Sequence, residues 1–242
     1  MNVECHFIHW NEGEQLQWTI DHYSTFCNRI IIHDNHSDNS PKLSSKVDCF
    51  ITKFGTPGVL DDFAYLAVKN ECWKGSKADY VIVCDCDEIL YHPDIDAILD
   101  FEHKRGTTLF RTQGYNMFSE NFPRETYEEI RTGIPDGTYS KSIIFDPKAI
   151  REIAYLPGCH VARPEGRVEV SLTTLPLLHY RCIGGFQRMF DRHKEYNKRL
   201  SEKNIRFGMG NYQYVNDPEK VKQKEEEYKK LLLSSYVLPI FQ

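Results

Sequence analysis

The sequence predicts an α/β fold with a mostly parallel central sheet flanked by helices, and three observations carry that expectation. Short apolar runs alternate with helical patterns through the first half of the chain, the sign of consecutive βαβ units. Three of those runs stop at Asn11-Glu12, Asp34-Asn35 and Asp85-Cys86-Asp87, and the carboxyl ends of strands are where open parallel sheets bind ligands. The 242 residues, 40% hydrophobic and 27% charged, suit one large domain with several buried layers better than two cramped ones.

Each element follows from local pattern. Residues 3–10 read as the first strand, and 13–26 place Leu16, Ile20, Tyr23 and Phe26 at three- to four-residue spacing, a helix with one face on the sheet. RIIIHD at 29–34 is a buried second strand, followed by the turn formers NHSDNSP at 35–41. Residues 48–54 are the third strand, 60–73 the second helix, and 79–84 the fourth strand, which ends at the acidic tetrad Asp85-Cys86-Asp87-Glu88. In the second half, strands are expected at 107–118 and 140–145, with the polar stretch 119–139 between them as a long surface loop or lid. LPLLHY at 175–180 is another strand, 185–200 an amphipathic helix, and Gly208-Met209-Gly210 a turn. The charged run from Asp217 onward reads as a helix capped by Asp217 with Pro218 at its first position, its charges a solvated face.

Composition excludes several classes of partner. A formal net charge of −5 offers no footprint for sequence-independent binding to nucleic acid. The eight cysteines include no CxxC pair of zinc-site spacing and read as reduced core residues. No apolar stretch has the length of a signal peptide or of a ~20-residue membrane span. The expected location is therefore the cytoplasm, or the cytoplasmic face of a membrane, with no transmembrane segment.

The acidic tetrad is the most informative motif. Three carboxylates within four residues repel one another behind a buried strand, and a bound divalent cation is one way to make that tolerable. The other reading is a helix cap, with Asp87 or Glu88 near the positive end of a helix that follows the strand.

Asn11-Glu12 after the first strand, Asp34 with Ser37-Asp38 after the second, and Asp85-Cys86-Asp87 after the fourth together resemble GT-A fold glycosyltransferases of the family-2 type, with their "NE", "D..S.D" and "DxD" motifs. The likeness covers residues 3–90, and more loosely continues to about 200, where 141–147 (KSIIFDP), Gly158-Cys159-His160 and 178–181 (LHYR) resemble the acceptor half of bacterial or viral polysaccharide glycosyltransferases. The resemblance implies a GT-A-like (Rossmann-like) domain over 1–216, with a nucleotide-binding half at 1–90 and an acceptor half at 91–216, and a C-terminal helix and tail at 217–242. It implies transfer of a sugar from a nucleoside-diphosphate sugar, a UDP-sugar before others, to a glycan or other hydroxyl acceptor. Asn11, Glu12, Asp34 and Asp85 would line the nucleotide-sugar pocket, and Asp87 with Asp85 would hold Mn²⁺ or Mg²⁺.

His179, at the end of the LPLLHY strand, is the candidate third metal ligand, with His160 in reserve; a hydrogen-bonded structural histidine is the competing reading. Lys141, Arg181, Arg163 and Arg167 are candidate contacts to the diphosphate, or solvated charges. The family's "ED" pair and "QxxRW" are missing. An inverting transfer needs a proton acceptor at the acceptor hydroxyl, and Glu165 in the loop ARPEGR is the first candidate, followed by Glu169 and His160. His33-Asp34-Asn35-His36 is similar to a metal-binding DNH, but a metallophosphoesterase would need a DxH near the first strand and a late HxH, neither of which is present, and a sugar nucleotidyltransferase a Gly-rich signature after the first strand. The alternative from another class is a non-catalytic nucleotide- or glycan-binding module of a larger assembly.

Overall fold

The computed structural model describes residues 1–38 and 43–241. The last residues of the predicted turn cluster, 39–41, lie outside these. The first half runs β1 (Val3–His9), α1 (Glu14–Tyr23), β2 (Arg29–Asp34), β3 (Asp48–Lys53), α2 (Asp62–Glu71) and β4 (Tyr80–Asp85), in the predicted order and within a few residues of the predicted bounds. The second half runs β5 (Glu88–Leu90), α3 (Ile95–Arg105), β6 (Leu109–Phe118), β7 (Thr132–Pro135), β8 (Ile144–Phe145), β9 (Ile150–Glu152), β10 (Glu165–Gly166), β11 (Val170–Cys182), α4 (Gly185–Arg199), α5 (Glu202–Phe207), α6 (Pro218–Ser234) and β12 (Tyr236–Val237). Among the described residues no helix is long and apolar enough to cross a membrane.

The main sheet has the order β12-β7-β6-β8-β4-β1-β2-β3, and β11 pairs with both β5 and β6. β1 to β4 are mutually parallel, as is the β6–β11 pair, whereas β5, β7, β8 and β12 pair antiparallel. The parallel half therefore matches the expectation, and the second half makes the sheet mixed. Register aligns the strand ends: His9 lies opposite Asp34 and Ile8 opposite Asp85, while His179 on β11 lies opposite Asn116 on β6. One edge of the sheet thus gathers the carboxyl ends of β1, β2, β4 and β11.

Strand alternation sorts the core into two layers. Cys5, Phe7, Ile30, Ile32, Ile82 and Cys84 face α1 and α3 through Leu16, Ile20, Tyr23 and Leu99. Val81 and Val83 face the other way, onto Trp73, Phe145, Ile153 and Tyr155. Burial on both faces explains why the central strands read as continuous apolar runs.

Several expectations are corrected. No helix follows β4: Cys86 and Asp87 form the turn into β5, and α3 starts only at Ile95, so the acidic tetrad caps no helix. The segment 119–139 is not a free loop, because Tyr127 is 4% exposed and β7 pairs with β6 on one side and β12 on the other. The strand expected at 140–145 shrinks to Ile144–Phe145. α6 behaves as read: Pro218 opens it and Asp217 accepts hydrogen bonds from the amides of Glu219 and Lys220.

Candidate functional site

A cleft of about 290 Å³ opens at the gathered strand ends. Of the residues singled out from the sequence, Glu12, Asp85, Asp87, Lys141, His160, His179 and Arg181 line it.

The structure resolves the acidic tetrad into separate jobs. Lys69 of α2 places its ammonium 2.7 Å from Asp85, and Lys141 approaches the same carboxylate at 3.7 Å. Lys141 also pairs with the buried Glu88, whose second oxygen accepts the Asp85 amide at 3.1 Å. Burial alone would raise the Asp85 carboxyl, but Lys69 and then Lys141 outweigh it and hold it well below the usual carboxylate range. Burial likewise opposes the charge on Lys141, and Glu88 and Asp85 restore and exceed it. The protein itself therefore neutralises two of the three acids. Asp85 and Lys141 both line the expected cleft, but each already has a partner there, Asp85 in Lys69 and Lys141 in Glu88.

Asp87 is the acid left over. Its Oδ2 lies 3.6 Å from Nε2 of His179. The His179 ring is set by a chain of partners: Nδ1 sits 2.9 Å from Oδ1 of Asn116, whose Nδ2 donates to Asp136 at 2.7 Å. Because the Asn116 amide spends its N–H on the Asp136 carboxylate, its oxygen faces His179, and Nδ1 must be the donor. Nε2 then presents a lone pair toward Asp87. Tyr139 stacks on the ring at 4.1 Å, locking its plane, and burial lowers the His179 pKa, with Asp87 opposing that shift. Two acceptors face each other across 3.6 Å, and among the described residues neither atom accepts a hydrogen bond, which suits a cation held by both.

His160 also keeps a nitrogen free. Its Nδ1 lies 2.9 Å from the carbonyl oxygen of Thr138, so Nδ1 carries the hydrogen and Nε2 is bare. Gly158, at φ +79°, makes room for the ring: a Cβ there would stand 2.8 Å from His160 Cδ2. Arg181 donates to Nε2 of His193 at 3.1 and 2.8 Å from two of its nitrogens and lies over the Tyr212 ring. Among the described residues it forms no ion pair, so its charge faces the cleft unmatched by a carboxylate.

The other predicted residues fall in two places. Glu12 lines the cleft but is bonded to Arg192 at 2.7 Å, and burial raises its carboxyl to about 7 against the pull of that arginine. Asn11 and Asp34 share the same sheet edge as Asp87 but build the turns behind the cleft wall. Asn11 exchanges two hydrogen bonds with Asp38, and Asp34 accepts from the amide and hydroxyl of Ser37. Glu165 and Glu169 are not brought to the cleft. Glu169 pairs through its carbonyl with Thr108 and Leu109 at the start of β6, the opposite edge of the sheet, and Glu165 is exposed on the β9–β10 hairpin opposite Glu152. Arg167 lies with them, bonded to the Gly106 carbonyl, and exposed Arg163 is likewise absent from the cleft wall.

Sequence reasoning missed the aromatic walls, Trp10, Tyr65, Tyr196 and Tyr212, and the cation Lys69. A signal for Lys69 exists: Asp62, Leu66 and Lys69 recur at four and three residues and so share one helix face, the face that lines the cleft. The walls contributed by α4 and the stretch after α5 carry no local signal, since only the fold brings Tyr196 and Tyr212 to Trp10.

No family model and no curated protein matches the chain. Solved structures do resemble it. The crystal structure of S. aureus TarS aligns over 74% of this chain and 37% of its own, at 12% identity and a TM-score of 0.47. A 1–349 form of TarS in complex with UDP aligns over 81% of this chain and 64% of its own (11% identity, TM-score 0.44). The same form in complex with UDP-GlcNAc aligns over 80% and 65% (10% identity, TM-score 0.45). The chain thus spans about a third of the longer TarS chain and just under two thirds of the 1–349 form.

Proposed function

We propose that the chain is a glycosyltransferase that moves a sugar from a nucleoside diphosphate, UDP before others, to a hydroxyl of a glycan acceptor, with inversion. The observation that carries the reading is the facing pair of unspent acceptors, Asp87 Oδ2 and His179 Nε2, at the carboxyl ends of the strands. Mn²⁺ or Mg²⁺ held there would neutralise charge on a leaving diphosphate. Arg181, a cation without a carboxylate partner, fits the role of binding and orienting the same anion. Asp85 and Glu88, already paired with Lys69 and Lys141, hold the β4–β5 turn that presents Asp87.

His160 takes the place first expected of Glu165. His160 lines the cleft with Nε2 bare, and burial, then Lys141, lower its pKa, keeping the ring neutral and able to accept a proton. In the proposed step the acceptor oxygen bonds to the anomeric carbon from the face opposite the diphosphate. The bond from that carbon to the phosphate oxygen breaks, its electron pair leaving on the diphosphate, and the hydroxyl proton passes to His160 Nε2.

Calorimetry of UDP binding with and without Mn²⁺ tests the site. The expected result is at least ~10-fold tighter binding with the metal in the parent chain, lost in Asp87→Asn. Equal binding in both conditions, or an Asp87→Asn chain that responds to Mn²⁺ like the parent, rejects the metal role. A product that keeps the donor's anomeric configuration rejects the single displacement.

A further inference from the structure

The sheet face under α2 holds a second cluster, outside the lining of the cleft. His6 of β1, His33 of β2 and Cys72, the residue that caps the end of α2, each offer one ligand atom, and these atoms lie within 4.8 Å of one another. Both histidines are buried, at 4% and 8% exposure, while Cys72 is half-buried. Nδ1 of His6 lies 3.2 Å from Nε2 of His33, and the rings are nearly parallel, at 11°. Two imidazole nitrogens each ~2.0–2.1 Å from one tetrahedral zinc are about 3.3 Å apart. Nδ1 of His33 is held 3.0 Å from the Thr52 hydroxyl, the kind of outer partner that orients a ligating imidazole.

We propose that His6, His33 and Cys72 form a zinc site, with water in the fourth position on the half-exposed Cys72 side. Imidazole and thiolate donors select zinc over the Mg²⁺ or Mn²⁺ suited to a carboxylate. Binding converts the Cys72 thiol to a thiolate and releases its proton to solvent. The ion ties the last turn of α2 to β1 and β2, and α2 is the helix that carries Asp62, Tyr65 and Lys69 into the cleft, Lys69 from that same last turn. No sequence spacing announces the site, because its ligands come from three elements separated by 27 and 39 positions.

Cobalt as a probe reads this site separately from the cleft. The metal-stripped chain titrated with Co²⁺ is expected to show a thiolate-to-cobalt charge-transfer band saturating at one equivalent, displaced by stoichiometric Zn²⁺ and unaffected by excess Mn²⁺. Cys72→Ser, a mild change at a half-buried position, should lose the band, and Asp87→Asn should keep it. Absence of the band in the parent chain overturns the proposal, as does a band that survives Cys72→Ser or vanishes in Asp87→Asn. Since the parent chain alone can give the negative result, the test does not depend on how a variant folds.

Discussion

The two halves of the chain supply the cleft with groups of opposite condition. Those from the parallel half are satisfied by the protein, Asp85 by Lys69 and Glu12 by Arg192, as are Asp34 by Ser37 and Asn11 by Asp38 in the turns outside the cleft lining. Those from the mixed half, Lys141 aside, keep something unspent: the Nε2 lone pairs of His160 and His179, and the charge of Arg181. Asp87 is the exception that links them, standing at the end of the parallel half and facing His179. The difference teaches that a residue at a strand end is no more reactive than its partners allow. Altering the first half should mainly cost stability, and altering the second mainly activity.

Lys69→Met is the strongest way to break that division. It leaves Asp85 facing the cleft with only the more distant Lys141, and chemical denaturation should report a loss of about 3 kcal/mol, the low end for a broken buried pair because the carboxylate is partly open. An unchanged midpoint would mean that Lys141 alone suffices. His160→Gln tests the other half: kcat should fall ~10²-fold or more while the melting temperature stays within about 2 °C, as for a change away from the core. A variant that melts far below the parent would make His160 a scaffold residue and blur the contrast.

A third test uses pH. Burial holds His22 neutral, with its pKa lowered to about 4 although the Leu90 carbonyl pulls the other way. The unfolded chain binds the proton below about pH 6.5 and the folded chain does not. Stability from His22 is therefore fully present above about 6.5 and falls as pH drops toward about 4. Between pH 7 and 5 the parent should lose up to about 2 kcal/mol more than His22→Gln, and parallel pH profiles would exclude this contribution. The smallest effect belongs to the end of the second half, away from the cleft: Asp217→Ala removes the cap of α6, and melting should fall by about 2–4 °C with turnover unchanged.

What the sequence disclosed follows the same division. The βαβ half was legible because each strand is short, continuously apolar and ended by polar residues, so local pattern sufficed. The mixed half was not, because β11 finds its partners, β5 and β6, at distances in sequence of about ninety and sixty positions, and β7 is held by a two-residue strand near position 236. Such pairings leave no periodic trace. In the cleft, the acidic tetrad and His179 were visible as motifs, but the lysines that separate their roles were not. Lys69 looks like any helix lysine until α2 is laid over β4. Only its place in a loop points to Glu165, and a loop's end point is what local sequence reveals least.

Trp10 stands at the cleft wall with the Arg199 guanidinium 3.5 Å from its ring and Arg192 at 5.3 Å. The chain's other tryptophans are packed elsewhere, Trp18 against Phe122 and Tyr127 and Trp73 against Phe145. The molecule thus carries its own optical gauge: an anion drawing either arginine away from Trp10 changes the emission of that indole alone. Occupancy of the cleft can then be followed in real time and without a label, with Trp10→Phe as the dark control.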